Sequence, residues 1–241
     1  MRRRFFCGAF VGVLVIAAAL SASAGGGTSS RWHGPIHMRT NSTSTNWSGY
    51  AVTGGRYTSV SSSWTVPTVT CSGTAYSSFW VGLDGDTSNT VEQTGTDSDC
   101  SGSTPQYYAW YEMYPKFPSN YRDPVTPGDH MSATVTTNGK GQFTLTISDT
   151  SRGWTETTSA RLKSAKLASA EVIAEAPSSS GGVLPLANFG TVSFSGASAN
   201  GAALTPSTPG IDPITMQSGS TVKAQPSGIS NGAFSVTWNH A

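Results

Sequence analysis

Cysteine is scarce in this chain, three residues in 241, and histidine is hardly commoner at four. Neither supply builds a metal site: two lone Cys are a poor ligand set, and His130 and His240 lack metal-ligand spacing. His130 also has no neighbour that marks it as a catalytic base. Basic residues thin out early. Arg2, Arg3, Arg4, Arg31 and Arg39 precede position 45 while all 13 acids follow it, so the body of the chain holds nine Lys and Arg and a net charge of −4. That leaves no basic stripe to neutralise phosphates, which excludes nucleic acid as a partner. It also suits acid, because little positive self-repulsion builds up as the carboxylates protonate. No repeat of 20–50 residues is visible, which excludes a propeller or solenoid.

The one long apolar run, residues 5–20, is too short for a membrane span, which needs about 20 apolar residues. It follows Arg2-Arg3-Arg4 and ends in Ser21-Ala22-Ser23-Ala24, a small-residue cleavage pattern. Residues 1–24 therefore read as a signal peptide, which predicts a secreted, extracellular protein with no membrane contact after cleavage. Residues 25–44 are polar, rich in Gly, Ser and Thr, and carry Arg31, His33, His37 and Arg39 without an acid. They form a short propeptide or a disordered arm, and in the first case their basic side chains would sit over an acidic cleft until acidification released them. Residues 45–241 remain as a single domain, expected to be a monomer.

Cys7 leaves with the signal peptide. Cys71 and Cys100 are then an even pair in an oxidising compartment, which predicts a disulfide between them. Short alternating runs at 47–52, 57–66, 77–83, 107–114, 130–137, 142–148, 189–195 and 233–238 have the pattern of half-buried antiparallel strands separated by Gly and Pro. They predict an all-β sandwich or barrel. Residues 160–176 are full of strong helix formers, yet their apolar positions settle on no one helical face, and 169–175 is read as a strand.

Strand parity then sorts side chains by face. Trp80, Gly82 and Asp84 point one way and Phe79, Val81 and Leu83 the other. Tyr108, Trp110, Glu112 and Tyr114 share a face, and so do Glu171, Ile173 and Glu175. Faces mixing acids with Trp and Tyr are costly to leave bare, so an acidic, aromatic-lined cleft on a concave sheet is the economical reading.

Seven segments occur in order: Asn46-Trp47-Ser48-Gly49-Tyr50, Ser63-Trp64-Thr65-Val66-Pro67, Trp80-Val81-Gly82-Leu83-Asp84-Gly85-Asp86-Thr87, Glu92-Gln93-Thr94-Gly95, Ala109-Trp110-Tyr111-Glu112-Met113-Tyr114-Pro115, Ala170-Glu171-Val172-Ile173-Ala174-Glu175 and Asn188-Phe189-Gly190-Thr191-Val192. Together they resemble the glutamic peptidases, or eqolisins. The resemblance implies a two-sheet antiparallel β-sandwich of the concanavalin A-like lectin or glucanase kind, and an acid-active endopeptidase on polypeptide substrates that uses no metal and no cofactor. It places a catalytic dyad on Gln93 and Glu175, with Glu175 as general base for the attacking water and Gln93 as donor to the tetrahedral oxyanion. Trp80, Asp84 and Glu112 match further cleft residues of the family, and parity adds Tyr108 and Trp110 to the substrate-binding set. An amide donor needs no titration and a carboxylate stays partly ionised in mild acid, so the pairing is chemically sound at low pH.

The chain departs from the family pattern in places. Tyr108 stands where the fungal enzymes carry Asp, Val172 where they carry Trp, and the spacing from Gly85-Asp86-Thr87 to Gln93 is one residue shorter. The adjacent Glu92 faces away from the cleft and is structural. Gly228-Ile229-Ser230-Asn231-Gly232 has the form of a nucleophile elbow but precedes a strand instead of joining strand to helix. Asp84-Gly85-Asp86-Thr87-Ser88 starts like a calcium loop but lacks the later Gly and closing Glu. The rival reading is carbohydrate chemistry: Trp80, Trp110, Tyr108 and Tyr114 with Glu112 and Glu175 would also suit a glycoside hydrolase or a sugar-binding module.

Overall fold

Alternation of apolar and small polar residues fixes most of the strands. In Ser59–Thr65 the side chains of Val60, Ser62 and Trp64 are buried while those between them are half-exposed, and Phe143, Leu145 and Ile147 do the same in Gln142–Asp149. The computed structural model describes residues 31, 33 and 42–241, so the signal-peptide reading lies outside the described residues. No helix among the described residues is long and apolar enough to cross a membrane.

Thirteen strands of five or more residues make the frame: β1 (Trp47–Thr53), β2 (Ser59–Thr65), β3 (Ser78–Leu83), β4 (Val91–Ser101), β5 (Thr104–Tyr114), β6 (His130–Thr137), β7 (Gln142–Asp149), β8 (Trp154–Arg161), β9 (Ser169–Glu175), β10 (Thr191–Ala199), β11 (Ile211–Ser218), β12 (Thr221–Pro226) and β13 (Phe234–Trp238). They pair antiparallel in the order β8-β7-β6-β2-β10-β13-β12-β11-β1-β9-β3-β4-β5. The path folds back on itself. β2 packs face to face on β3 and β9, and β6 and β7 pack on β4, which makes two layers joined where β11 pairs with β1. Phe79, Val81, Leu83 and Val172 from one layer meet Trp64, Val135, Leu145 and Phe194 from the other in the common core. The expected two-sheet antiparallel sandwich is what forms, with one small additional pair, Ser178–Ser179 with Gly182–Val183.

Four strands differ from the rest in being buried on both faces: β3 and β9 throughout, β1 up to Val52, and β4 up to Cys100. One face of this central layer joins the core. The other carries its own cluster of Trp47, Trp80, Trp110, Ile173 and Ile214. β4 was absent from the strands expected from alternation, because Val-Glu-Gln-Thr-Gly-Thr-Asp-Ser-Asp-Cys-Ser has almost no apolar residues to alternate. β8 was likewise unexpected, and the segment after residue 205 supplies three strands where alternation marks only the run 233–238. The helix-forming stretch 160–176 divides into the end of β8, a turn, and β9, so tertiary pairing overrides propensity there.

Cys71 and Cys100 are bonded, as expected, with Cα atoms 5.4 Å apart and 29 residues of separation. The link ties the end of β4 to the loop before β3 and contributes about 3–4 kcal/mol in the chain-entropy account.

Candidate active site

Register places the cleft residues. Cross-strand partners point to the same side of a sheet. β9 lies between β1 and β3, with Glu175 opposite Trp47 on one side and Ser78 on the other. β3 then pairs with β4, setting Gly82 beside Gln93, Trp80 beside Gly95 and Ser78 beside Asp97. β4 pairs with β5, setting Gln93 beside Glu112, Gly95 beside Trp110 and Asp97 beside Tyr108. Gln93, Glu112, Trp80, Trp110, Asp97, Tyr108, Glu171 and Glu175 therefore share one face, the face away from the core. Gly95 makes room for this: a Cβ there would strike the Phe79 carbonyl oxygen and stand 2.6 Å from the Trp80 Cβ.

The two carboxylates and the amide are held by specific donors. The Gln93 Nε2 donates to Glu112 Oε2 at 3.0 Å, and its Oε1 is buried with no hydrogen-bond partner among the described residues. Glu175 accepts from Trp80 Nε1 at 2.8 Å through one oxygen and from Asn46 Nδ2 at 3.0 Å through the other. Trp47 braces Trp80 edge-on, with ring centroids 5.0 Å apart. Burial pushes Glu175 up to about 8, His33 opposes the rise, and the neighbouring Glu112 charge adds to it. Burial also pushes Glu112 to about 7 against the pull of His33. The like charge of Glu112 acts on Glu175, but burial is the larger cause.

Beside this group stands a second acid pair that the sequence reading did not single out. Asp97 accepts from Trp110 Nε1 at 2.6 Å, and the Tyr108 hydroxyl lies 2.8 Å from Asp97 and 2.7 Å from Asp99. Burial would raise Asp97, but the charge and hydrogen bond of His33, with Arg31 behind them, hold it below the ordinary carboxylate value. Burial and the Asp97 charge push Asp99 up to about 7. Both acids share parity with Gln93 along β4, which is the signal that would have found them once 91–101 was read as a strand.

The acids face the N-terminal arm. His33 stacks flat on Trp110, centroids 3.8 Å apart and planes 9° from parallel. Its backbone N–H donates to Glu112 at 2.9 Å and its Nε2 lies 3.2 Å from Asp97. Burial would lower the His33 pKa, yet Asp97 and Glu112 raise it to about 10, so the ring is an imidazolium through the neutral range. The Arg31 guanidinium is 2.8 Å from Asp99 and contacts the Tyr108 hydroxyl. Two of the four basic side chains between residues 25 and 44 thus sit in the cleft. His37 and Arg39 lie outside the described residues.

Asp84 departs from its expected place. The family match, with its parity with Trp80, puts it in the substrate-binding set, but its φ of 67° turns it out of the strand pattern. Its carboxylate accepts three backbone N–H groups, from Lys166 at 2.8 Å, Leu167 at 2.7 Å and Ala168 at 2.8 Å. It therefore anchors the turn that leads into β9, and acts on Glu175 only through the strand. Glu92 faces the core beside Leu83 and Met113, as expected for a structural residue.

The likeness to known proteins extends over most of the chain. Aspergillopepsin-2 from Aspergillus niger is 30% identical over 181 residues, which is 65% of this chain and 64% of that protein. Scytalidopepsin B from Scytalidium lignicola is 36% identical over 104 residues, 42% of this chain and 39% of that protein. The chain thus matches somewhat less than two thirds of the length of the first relative and about two fifths of the second. Among solved structures, scytalido-glutamic peptidase with a transition state analog inhibitor superposes with a TM-score of 0.72 at 25% identity, covering 81% of this chain and 98% of that one. Aspergilloglutamic peptidase from Aspergillus niger gives 0.62 at 27% identity, covering 68% and 99%. The model of the Peptidase A4 family matches residues 45–238. By fold, by the order of its motifs and by this match, the chain belongs to the peptidase A4, or eqolisin, family.

Proposed function

We propose that this protein is a secreted, monomeric endopeptidase active in acid, in which Glu175 and Gln93 act on one water molecule and one peptide carbonyl. The observation that carries the reading is the shared face: Gln93 is bonded to Glu112, and the charge of Glu112 is felt by Glu175. Glu175, ionised, draws a proton from water as the hydroxide adds to the carbonyl carbon. The oxyanion so formed accepts the second N–H of the Gln93 amide, the first being given to Glu112. Glu175 then returns its proton to the departing amine, so the base is restored and no acyl-enzyme forms. Trp80 and Asn46 hold the carboxylate in one orientation throughout. Glu112, Trp110 and Tyr108 line the path of the substrate chain. Family membership favours peptide over sugar chemistry for this cleft.

Gln93→Ala separates the two chemistries. On casein at about pH 3–5 its turnover is expected to fall by about 10²–10³, the usual cost of one lost oxyanion donor. A two-carboxylate glycosidase would tolerate the change, so polysaccharide cleavage that persists in Gln93→Ala overturns the peptidase reading.

Residues 25–44 are then a propeptide whose Arg31 and His33 occupy the cleft. His33 covers Trp110 and Glu112, the ground that a substrate chain would have to occupy. The contact is not undone by mild acid. The His33 share of its stability is complete below pH 6.5 and fades only as pH rises through about 10. The Asp97 share is present above 3.8 and is lost as pH falls through its depressed value. Glu112 and Asp99, pushed to about 7, lose their charge in mild acid and loosen the latch, while the His33–Asp97 pair holds until the acid extreme, so removal of the arm completes the release. A chain beginning at Ser44 should cleave casein at least tenfold faster at pH 5 and pH 7 than the full chain, since it needs no displacement of the arm. Equal rates would dispose of the propeptide.

A further inference from the structure

Arg31 does more than neutralise an acid. Its guanidinium lies over the face of Tyr76, 4.2 Å from the ring centroid, while Nη1 meets Asp99 at 2.8 Å and Nη2 reaches the Tyr108 hydroxyl. The Asp99 carboxylate is set for this contact, because the Ser77 backbone N–H donates to its Oδ1 at 3.1 Å and the Tyr108 hydroxyl reaches its Oδ2 at 2.7 Å. The side chain sits at a cavity of about 260 Å³ bordered also by Thr74, Ser101 and Gln106. A stacking face on one side, a buried carboxylate at the end and a phenol hydroxyl beside it are the elements that recognise a planar cation. The pocket lies two residues along the arm from His33, and in an extended chain residues i and i+2 project to the same side. A peptide running past Trp110 and Glu112 would present a side chain to the same place.

We infer that the pocket formed by Asp99, Tyr76 and Tyr108 is a specificity subsite for an arginine side chain of the substrate, which Arg31 fills in the full chain. This rests on the peptidase reading for its substrate but on the Arg31 contacts for its existence. Asp97, 3.8 Å from the Arg31 guanidinium, adds a further negative charge to the pocket. A neutral side chain of equal length would keep the apolar contact with Tyr76 and lose both the stacking of a cation and the charge-assisted hydrogen bonds.

Two measurements test it. In the full chain carrying Arg31→Ala and His33→Ala, kcat/KM is compared at pH 7, where Asp99, pushed to about 7, is substantially ionised, for peptides with arginine or norleucine at each position in turn. One position should favour arginine by about tenfold, and that ratio should fall towards one when Asp99→Asn or Tyr76→Leu is added. Separately, a synthetic peptide of residues 25–41 should bind this chain about tenfold more tightly than the same peptide with norleucine for Arg31, again unless Asp99 or Tyr76 is replaced. If no peptide is cut but the binding difference holds, the subsite stands and the peptidase reading falls. If peptides are cut without a preferred arginine position, or if the two arm peptides bind alike, the subsite is wrong. Tyr76, half-buried at the surface, gives a second variant should Asp99→Asn fail to fold.

Discussion

Glu175→Gln should reduce peptide turnover by roughly 10²–10⁴, while Glu171→Gln should leave it within about tenfold of the native chain. The contrast is sharp because the two acids are close relatives in position. Both are fully buried, both belong to β9, and both point to the cleft face. Glu171 even lies in the same cross-strand row as Gln93, with Gly82 between them. What separates them is the shell. Glu175 is oriented by Trp80 and Asn46 and feels the charge of Glu112, whereas the charge of Glu171 is felt at Tyr57. A glutamine at 175 can still accept from Trp80, so the fold has little cause to change, but it cannot take a proton from water. Steady-state kinetics on one peptide at about pH 4, with thermal melts to match the folded fractions, decides the matter. Equal losses in the two variants would place the base elsewhere.

The cleft was legible in the sequence wherever strand parity held. Trp80, Tyr108, Trp110, Glu112 and Glu175 fall on the side that alternation gave them, because each sits inside a strand whose partners fix its register. Asp84 failed for a local reason: one residue with positive φ ends the strand, and parity carries no information past it. Asp97 and Asp99 failed for the opposite reason. They belong to a strand whose polar residues are buried, and a polarity pattern cannot reveal a strand with no solvent face. Asn46 was inside a recognised motif, but its bond to Glu175 joins residues 129 apart in sequence and no local pattern encodes that. His33 and Arg31 were named as basic residues able to cover acids. Which acids they meet depends on the register of β4 and β5, a tertiary fact.

Unfolding free energy should fall as pH rises from about 4.5 to 8, and Glu92→Gln should remove roughly 4 kcal/mol of that fall, the remainder belonging to Glu175, Glu112 and Asp99. Glu92 lies on the core face of β4, fully buried, between Leu83 and Met113 of the neighbouring strands. Burial first, and the Asp84 charge second, push it from an ordinary 4.5 up to about 8, with Thr90 opposing. Between those values the folded chain holds a proton that the unfolded chain has released, so raising the pH favours unfolding. The full stability is present below 4.5 and is lost through 8. Asp97 has the opposite sign, its ionised form stabilising the fold above 3.8 and failing it as pH drops through the depressed value. The two slopes together put maximum stability in mild acid, where an enzyme with a carboxylate base would also work. Glutamine at 92 keeps the shape of the side chain without its titration. Urea melts of the native and Glu92→Gln chains at pH 5, 6, 7 and 8 should diverge steadily, the variant gaining as the native chain weakens. Parallel curves would mean that Glu92 ionises freely in the fold, and a stability maximum in mild acid would then have to come from the cleft acids alone.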